Sequence, residues 1–442
     1  MIAQLIILLI FTFMFLILFA YIHTHKDYLI QKYYSYINDK KEKSKKDYNN
    51  DKKGIFSTIK NYFINDYIIY SKPKFKKENT FTVLSYNILA QKYLHKTVKE
   101  NKFLEKKIRL DKIISEIKQI NPEIFCLQEA MDDIIKSHLQ KNFEKNYNLI
   151  HYYNEGSSLK NIIGIKKERF EILNESRVII CDDKLRNIIN KQNSNDDNND
   201  NEEEDFNLSD NKIHVDGNRG IINVCIKDKL VKNKIINLFC VHFPWKPIFE
   251  YQKARIMGLI FDIILRKKIP NVIIAGDFNS VPNSIVLRMV YYKDWEAEMT
   301  KNEKYINNNF IHNKKESDLI KETLEKMEKR ENFEKVINNL MKISKEIYEK
   351  YKLRSSYDNY RNEVNGEKLG FLRNHPKYTN YTNKFIDTID YIFYSKSLEK
   401  IKILKIPDVE KNKKNEKENL FLPNDEYPSD HLKLAVNFEY KI

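Results

Sequence analysis

Apolar runs that end on one polar, chemistry-bearing residue recur along this chain, and each is strand-like in length. The sharpest is Val272-Ile273-Ile274-Ala275, followed at once by Gly276-Asp277-Phe278-Asn279-Ser280, so an acid and an amide emerge at the mouth of a buried strand. Open α/β architectures place their chemistry there. Asn87 closes the run Phe81 to Tyr86, Glu129 closes Ile124 to Gln128, and His242 closes Ile235 to Val241. Two further runs carry the polar group at their start: Asp390 opens Tyr391-Ile392-Phe393-Tyr394, and Ser429-Asp430-His431 precedes Leu432 to Phe438. Singly, these residues read as a turn former, a solvated strand end, a rim histidine or a turn cap. Jointly they predict one site.

The 442 residues suffice for two or three domains, yet the strand ends span almost all of them, which favours one domain with insertions. Strand runs alternate with helices early and give way to consecutive strands later, the order expected of two packed sheets flanked by helices. Leu110, Ile113, Ile114 and Ile117 predict an amphipathic helix over 101–120, stopped at Asn121-Pro122. An insertion at about 182–218, built largely of Asn, Asp and Glu, lacks the apolar content to pack. A second, at about 300–352, sets Leu319, Leu324, Met327, Phe333, Ile337, Leu340, Ile343 and Ile347 at helical steps. It predicts one or two helices on the rim of the body, with a partner-binding helix as the alternative.

Residues 5–22 are apolar apart from Thr12, close to the ~20 residues that cross a bilayer. No basic stretch precedes the run and no small-x-small site closes it, so residues 1–25 are expected to be an uncleaved transmembrane anchor. Lys26, Lys32, Lys40, Lys41, Lys43, Lys45 and Lys46 on its C-terminal flank would hold that side in the cytosol. The catalytic body, residues 79–442, is then expected at the cytosolic face of the endoplasmic reticulum or another endomembrane. Residues 26–78 read as a basic linker, either a plain tether or a segment lying near the membrane surface. The net charge of +15 and pI near 9.2 suit an anionic partner, and equally suit a coding bias toward Lys, Asn, Ile and Tyr. Cys126, Cys181, Cys225 and Cys240 are too few and too scattered for a disulfide framework or a zinc knuckle, which points to a reducing compartment.

Hydrolysis of a phosphodiester needs neutralised non-bridging oxygens, an oriented water and a stabilised leaving oxygen. Glu129 and Asn87 offer the partial shell of hard oxygens that Mg²⁺ accepts. Asp277 suits a base or water-orienting group, and Asn279, two residues on, a donor to the phosphate. His431 suits a cationic partner for developing negative charge, with Asp390 holding its ring. Neither a zinc-spaced Cys/His cluster nor a Gly-rich Walker loop is present in the sequence.

The blocks Leu84-Ser85-Tyr86-Asn87-Ile88-Leu89-Ala90, Cys126-Leu127-Gln128-Glu129, Gly276-Asp277-Phe278-Asn279-Ser280, Ile389-Asp390-Tyr391-Ile392-Phe393-Tyr394-Ser395 and Pro428-Ser429-Asp430-His431 resemble the endonuclease/exonuclease/phosphatase superfamily. Within it they look most like the carbon-catabolite-repressor-type deadenylases and their relatives angel, nocturnin and 2′ phosphodiesterase. Leu353-Arg354-Ser355-Ser356-Tyr357, Tyr378-Thr379-Asn380-Tyr381-Thr382 and His242-Phe243-Pro244-Trp245-Lys246-Pro247 carry that closer likeness.

The resemblance implies a deoxyribonuclease-like, four-layer αββα sandwich of two mixed sheets flanked by helices. It implies Asn87 and Glu129 as metal ligands, His242 at the scissile phosphate, and Asp430 at a second Mg²⁺, with Mn²⁺ able to substitute. Pro247 and Phe385 would sandwich a terminal adenine, with Asn380 also binding substrate. The implied activity is a poly(A)-type 3′-to-5′ exoribonuclease that releases 5′-nucleotides from an RNA 3′ end. This chain has Asn161-Ile162-Ile163-Gly164 where the family often carries an Asp-Gly pair. It lacks the leucine-rich repeats that dock some deadenylases to a scaffold. A sphingomyelinase-like lipid phosphodiesterase and a non-catalytic RNA-binding scaffold stand as the alternatives.

Overall fold

The computed structural model describes residues 67–69, 79–94, 105–151, 159–178, 221–245, 250–282, 284–292, 333–360, 375–409 and 421–441. The expected anchor, nearly all of the linker, the insertion at 182–218, Cys181 and Pro247 lie outside them. Among the described residues no helix is long and apolar enough to cross a membrane. The chain divides into two units, Met1–Asp66 with Ser115–Asn121, and Tyr67–Ile114 with Pro122–Ile442. Of the first, only Ser115–Asn121 is described. Asn121 takes the left-handed conformation there (φ 47°) and donates its N–H to Ile117 O, which ends the helix as asparagine often does.

In chain order the second unit contains β1 (Tyr67–Ile69), β2 (Thr80–Asn87), the start of α1 (Lys106–Ile120), β3 (Ile124–Met131) and a helical segment α2 over 132–143. Then follow β4 (Tyr147–Ile150), β5 (Leu159–Lys166), β6 (Phe170–Val178), β7 (Ile221–Asp228), β8 (Ile235–His242), α3 (Glu250–Lys267) and β9 (Asn271–Asp277). The chain continues through α4 (Ile285–Val290), α5 (Phe333–Tyr351), β10 (Arg354–Ser355), β11 (Asn380–Tyr381) and β12 (Ile386–Asp387). It closes with β13 (Asp390–Tyr394), β14 (Leu398–Leu404) and β15 (Leu434–Tyr440).

Two mixed sheets result, of order β1-β14-β15-β2-β3-β5-β4 and β10-β13-β9-β8-β7-β6. Each is built around one parallel pair, β2 with β3 and β8 with β9, while the other pairings are antiparallel. A parallel pair needs a crossover, and α1 and α3 supply one each. The consequence for the site is direct. Parallel strands end at one edge, and their antiparallel neighbours β15 and β13 begin there, so strand ends and strand starts meet on one rim.

The near-continuous apolar character of these strands follows from burial on both faces. In β9, Ile273 and Ala275 face the layer between the sheets, with Cys126, Ile163, Leu238, Cys240, Ile392 and Val436. Val272 and Ile274 face outward, against Met257, Ile260 and Phe261 of α3 and Leu287 of α4. On the far side of the other sheet the Phe125 ring packs on Phe143 and Tyr147, with centroids 5.3 and 5.1 Å away. Gly164 of β5 is required by that packing, because a Cβ there would lie 2.0 Å from the Phe125 ring. The second unit is thus a mixed-sheet α/β sandwich with helices on both outer faces.

One expectation differs from the structure. The second insertion was expected on the rim through residue 352, yet α5 lies inside the helical layer. Leu340, Ile343, Ile347 and Tyr351 join the core with α3 and α4, Leu340 lies over Gly258, and Tyr351 Oη donates to Ile264 O at 3.1 Å. The apolar stripe of α5 is consumed by this packing, worth about 1.5–3 kcal/mol for each fully buried large side chain.

Candidate active site

Glycine sets the geometry at the end of β9. Gly276 has φ +151°, and a Cβ there would fall 2.0 Å from Val241 O of β8, so only glycine lets the two strands approach this closely. Their register then places His242 beside Asp277, and β13 places Asp390 opposite Asp277 on its other side. A β-bulge supplies the fourth group. The β3–β5 register shifts between Leu127 and Ala130, and Glu129 within it takes φ 64°. Glu129 therefore does not close its strand, as expected from sequence, but is turned out of a strand that runs on to Met131.

Five of the expected residues come within hydrogen-bonding or ion-pairing reach of Asp277 or His431. Asn87 Nδ2 lies 3.0 Å from Asp277 Oδ2, 3.4 Å from Glu129 Oε1 and 3.4 Å from His431 Nε2. His242 Nε2 lies 3.5 Å from Asp277 Oδ2 and 3.8 Å from Glu129 Oε1. His431 Nε2 lies 3.8 Å from Asp277 Oδ2 and 3.9 Å from Asp430 Oδ1, while its Nδ1 pairs with Asp390 Oδ2 at 2.8 Å. Asn279 (φ 46°) turns back so that its N–H reaches Asp277 Oδ1 at 2.8 Å, and its Nδ2 donates to Phe243 O at 3.0 Å. Asn380, buried in β11, bridges to His431 through the backbone. Phe385 lies exposed on the turn of the β11–β12 hairpin, and Pro247 is outside the described residues.

Four carboxylates share this pocket with few cations. Burial, reinforced by Asp390, pushes Asp277 up to about 7, although His431, Asn87 and the Asn279 N–H draw it down. Asp430 is pushed up to about 6 by burial, then by Glu129 and Asp390. Burial lowers the His431 pKa, but Asp390, Asp430 and Asp277 outweigh it, and the imidazole ends well above its ordinary value. The carboxylates therefore favour the protonated form of His431, which Asp390 holds in one orientation.

The structure adds groups the sequence did not announce. Arg109 of α1 is fully buried and spends its guanidinium on main-chain carbonyls: Nη1 to Ile88 O at 2.7 Å and Pro428 O at 3.1 Å, Nη2 to Leu89 O at 2.7 Å. It ties the loop after Asn87 to the loop before Asp430. Burial lowers its pKa to about 10 against the opposing charges of Tyr86, Asp430 and Glu129. Thr379 Oγ1 donates to Asp390 Oδ2 at 2.6 Å, and Ser429 Oγ to Asn87 O at 2.6 Å. Lys253, buried on α3, donates to Asn279 O at 2.5 Å. Nothing in periodicity marks Arg109 or Lys253, since each follows lysines or polar residues on a helix with an exposed face.

The donor set can be tested against a metal. Hard oxygens in excess of positive charge fit a Mg²⁺-class ion, and Cys126, Cys225 and Cys240 are buried thiols placed elsewhere in the sheets. Single ligand atoms of Asp277, Asp390 and His431 lie within 4.8 Å of one another, which is compact enough for an ion. Asp390 Oδ2, however, is already engaged by both Thr379 and His431. Solvent access also favours the other two acids: the side chains of Glu129 and Asp430 are 11% and 21% exposed, against 2% for Asp277 and 3% for Asp390.

A mixed-sheet sandwich with an acid-and-histidine pocket at one rim defines a class of hydrolases acting on phosphate esters. The chain belongs to the endonuclease/exonuclease/phosphatase family, whose model matches residues 84–431. Among solved structures it is similar to ANGEL2, described as a 2′,3′-cyclic phosphatase in complex with adenosine-2′,3′-vanadate, at 17% identity over 85% of this chain and 98% of that one, TM-score 0.54. A second ANGEL2 structure is 18% identical over 81% of this chain and 95% of that one, TM-score 0.50. The human Nocturnin catalytic domain with bound sulfate is 17% identical over 85% and 97%, TM-score 0.49. No curated protein matches. The ANGEL2 likeness shows the shared fold.

Proposed function

We propose that the chain is a Mg²⁺-dependent 3′-to-5′ exoribonuclease of the poly(A) type, releasing 5′-nucleotides. The observation that carries the reading is the convergence of Asn87, Glu129, His242, Asp277, Asp390, Asp430 and His431, drawn from both sheets, on one buried rim. Glu129, Asn87 and Asp430 would hold the metal, which when bound neutralises phosphate charge. Asp277, poised at about 7, takes the proton of the attacking water. Asn279 has a second amide hydrogen for a phosphoryl oxygen. Cationic His431, fixed by Asp390, opposes the charge that develops there, with His242 beside it. The new bond joins the water oxygen to phosphorus and the old 3′ oxygen departs.

Phe385, exposed on its hairpin, offers an apolar face for a base, which favours RNA over a lipid head group; the expected partner of that face, Pro247, lies outside the described residues. Residues 1–25 would hold the body to a membrane on its cytosolic side, which alkaline extraction and protease protection of the full chain would test. For activity, the full-length chain is incubated with Mg²⁺ and 3′-polyadenylated RNA, RNA ending in a 2′,3′-cyclic phosphate, or sphingomyelin vesicles. Stepwise release of adenosine monophosphate supports the proposal. Turnover of only the cyclic end or only the lipid replaces it, and no turnover by folded protein leaves a scaffold.

A further inference from the structure

Among the described residues the exposed aromatic side chains are Tyr93, Trp245 and Phe385, exposed by 50%, 62% and 39%. All three stand on loops that leave the catalytic rim: Tyr93 six residues past Asn87, Trp245 three past His242, Phe385 five before Asp390. Of the exposed aliphatic residues, Ile69, Ile108, Leu173 and Leu230 fall on β1, α1, β6 and the β7–β8 turn, and only Ile386 shares a hairpin with one of the aromatic residues, following Phe385 on β12. Single exposed apolar residues need no explanation. Confinement of the aromatic ones to one rim does.

Each loop is also tied to the site. Tyr93 N donates to Ala90 O at 2.9 Å, and Ala90 N donates to Glu129 Oε2 at 3.0 Å. Two residues before Trp245, Phe243 donates its N–H to Asp277 O at 2.9 Å and accepts Asn279 Nδ2 at 3.0 Å. Phe385 N donates to Thr382 Oγ1 at 3.0 Å on the hairpin that bridges to His431. Chain length bounds the distances, since a residue spans at most ~3.6 Å: Trp245 lies within about 11 Å of His242 and Tyr93 within about 22 Å of Asn87, Cα to Cα. Lys92 Nζ lies 5.0 Å from the Tyr93 ring centroid, bringing a cation to a platform that would face a phosphate-linked strand.

We propose that Tyr93 and Trp245 are stacking platforms for bases beyond the terminal one, so that the site takes an extended single strand of nucleic acid. The proposal rests on the exoribonuclease reading above and names the form of its substrate. Aromatic faces accept any base, so these platforms add affinity and length dependence but not base choice. Tryptophan and tyrosine also suit a membrane interface, and a lipid surface is the competing occupant.

Trp245 allows a direct test, because the chain has two tryptophans and the other, Trp295, lies outside the described residues. In the full-length chain carrying Trp295→Phe, with EDTA present, octa-adenylate should quench Trp245 emission at lower concentration than di-adenylate does. Anionic phospholipid vesicles should leave the emission unshifted. With Mg²⁺, Tyr93→Ala and Trp245→Ala should each raise KM for octa-adenylate by at least about fivefold and erase the affinity gained between two and eight nucleotides. Quenching indifferent to length, unchanged KM in both variants, or a blue shift on vesicles without quenching by RNA overturns the proposal. If the wild-type chain turns over a different phosphodiester and no RNA, the exoribonuclease reading fails, and the quenching titration still decides strand binding.

Discussion

Two buried clusters of charge sit at opposite ends of the same sheets, and they are built on opposite rules. At the end away from His242, Arg169 grips Asp228 Oδ2 with Nε at 3.1 Å and Nη2 at 2.7 Å, and Tyr440 Oη donates to the same oxygen at 3.0 Å. Asp228 Oδ1 accepts from Leu230 N at 2.8 Å and Val231 N at 3.2 Å. One acid meets one base, and the remaining lone pairs are filled by donors of the same chain. Strand β8 separates this closed pair from the catalytic rim, about 25 Å away at strand rise. There, Glu129, Asp277, Asp390 and Asp430 crowd together, and the buried Arg109 is engaged by carbonyls. Closure marks a group kept for stability. An open excess of one charge marks a group kept for a ligand.

The largest effect expected from that contrast is on turnover. Glu129→Ala should lower kcat by at least about 1,000-fold, because a ligand for the charge-neutralising ion is lost. The metal-free variant should keep or slightly raise its unfolding midpoint, since a like charge leaves a crowded pocket. Wild-type turnover in that variant removes Glu129 from the site. Asp228→Ala is the mirror experiment. It strands a buried guanidinium and should cost about 3–5 kcal/mol in urea unfolding, with kcat per folded molecule unchanged. A loss of kcat at intact stability would break the comparison.

A smaller effect reads the excess charge directly. Asp277 titrates near 7 in the folded protein and near 4 when unfolded, so between those pH values the folded state holds a proton that the unfolded chain has released. Stability contributed by this site therefore falls as pH rises from about 4 to 7, and Asp430 adds the same sign up to about 6. His431 acts with the same sign at higher pH: its raised pKa contributes stability fully below about 6.5, and that contribution is lost as pH climbs through the folded value. In metal-free protein, Asp277→Asn should thus stabilise by roughly 2 kcal/mol at pH 8 and by little at pH 4, and Mg²⁺ should shrink the gain. Thermal scans at both pH values, with and without Mg²⁺, decide it. An equal gain at both pH values would mean that charge crowding is not the cause.

Much of this rim was legible in the sequence because a strand buried on both faces leaves its polar terminus conspicuous. Asn87, His242 and Asp277 stand out against apolar runs, and Asp390 and His431 open the next ones. Topology then does what sequence separation hides, bringing Asn87 and His431, 344 residues apart, to 3.4 Å. Glu129 was visible as a residue but not as a bulge, since a left-handed turn at glutamate has no sequence signature. The rim position assigned to α5 failed because helical periodicity states that a stripe is buried, never against what. Arg109 was missed for a related reason. A buried arginine that bonds main-chain carbonyls looks, in sequence, like one more basic residue after Lys106 and Lys107.

Arg109 also gives the smallest effect and the finest comparison, against Arg169 at the other end. Lysine keeps the charge at either position but not the planar fork, so it can serve one or two acceptors where the guanidinium serves more. Arg109→Lys and Arg169→Lys should therefore lose similar stability, about 1–2 kcal/mol each. Their effects on metal should differ. Arg109 holds the loops that carry Asn87 and Asp430, and Ala90 of the same loop donates to Glu129 at 3.0 Å, so loosening it disturbs the proposed ligand shell. Calorimetry should show Mg²⁺ bound about tenfold more weakly by Arg109→Lys, the size typical when support behind metal ligands is removed. Arg169→Lys should leave that affinity unchanged. Equal Mg²⁺ affinity in the two variants would reduce Arg109 to a second Arg169, a closed structural charge that happens to lie near the rim.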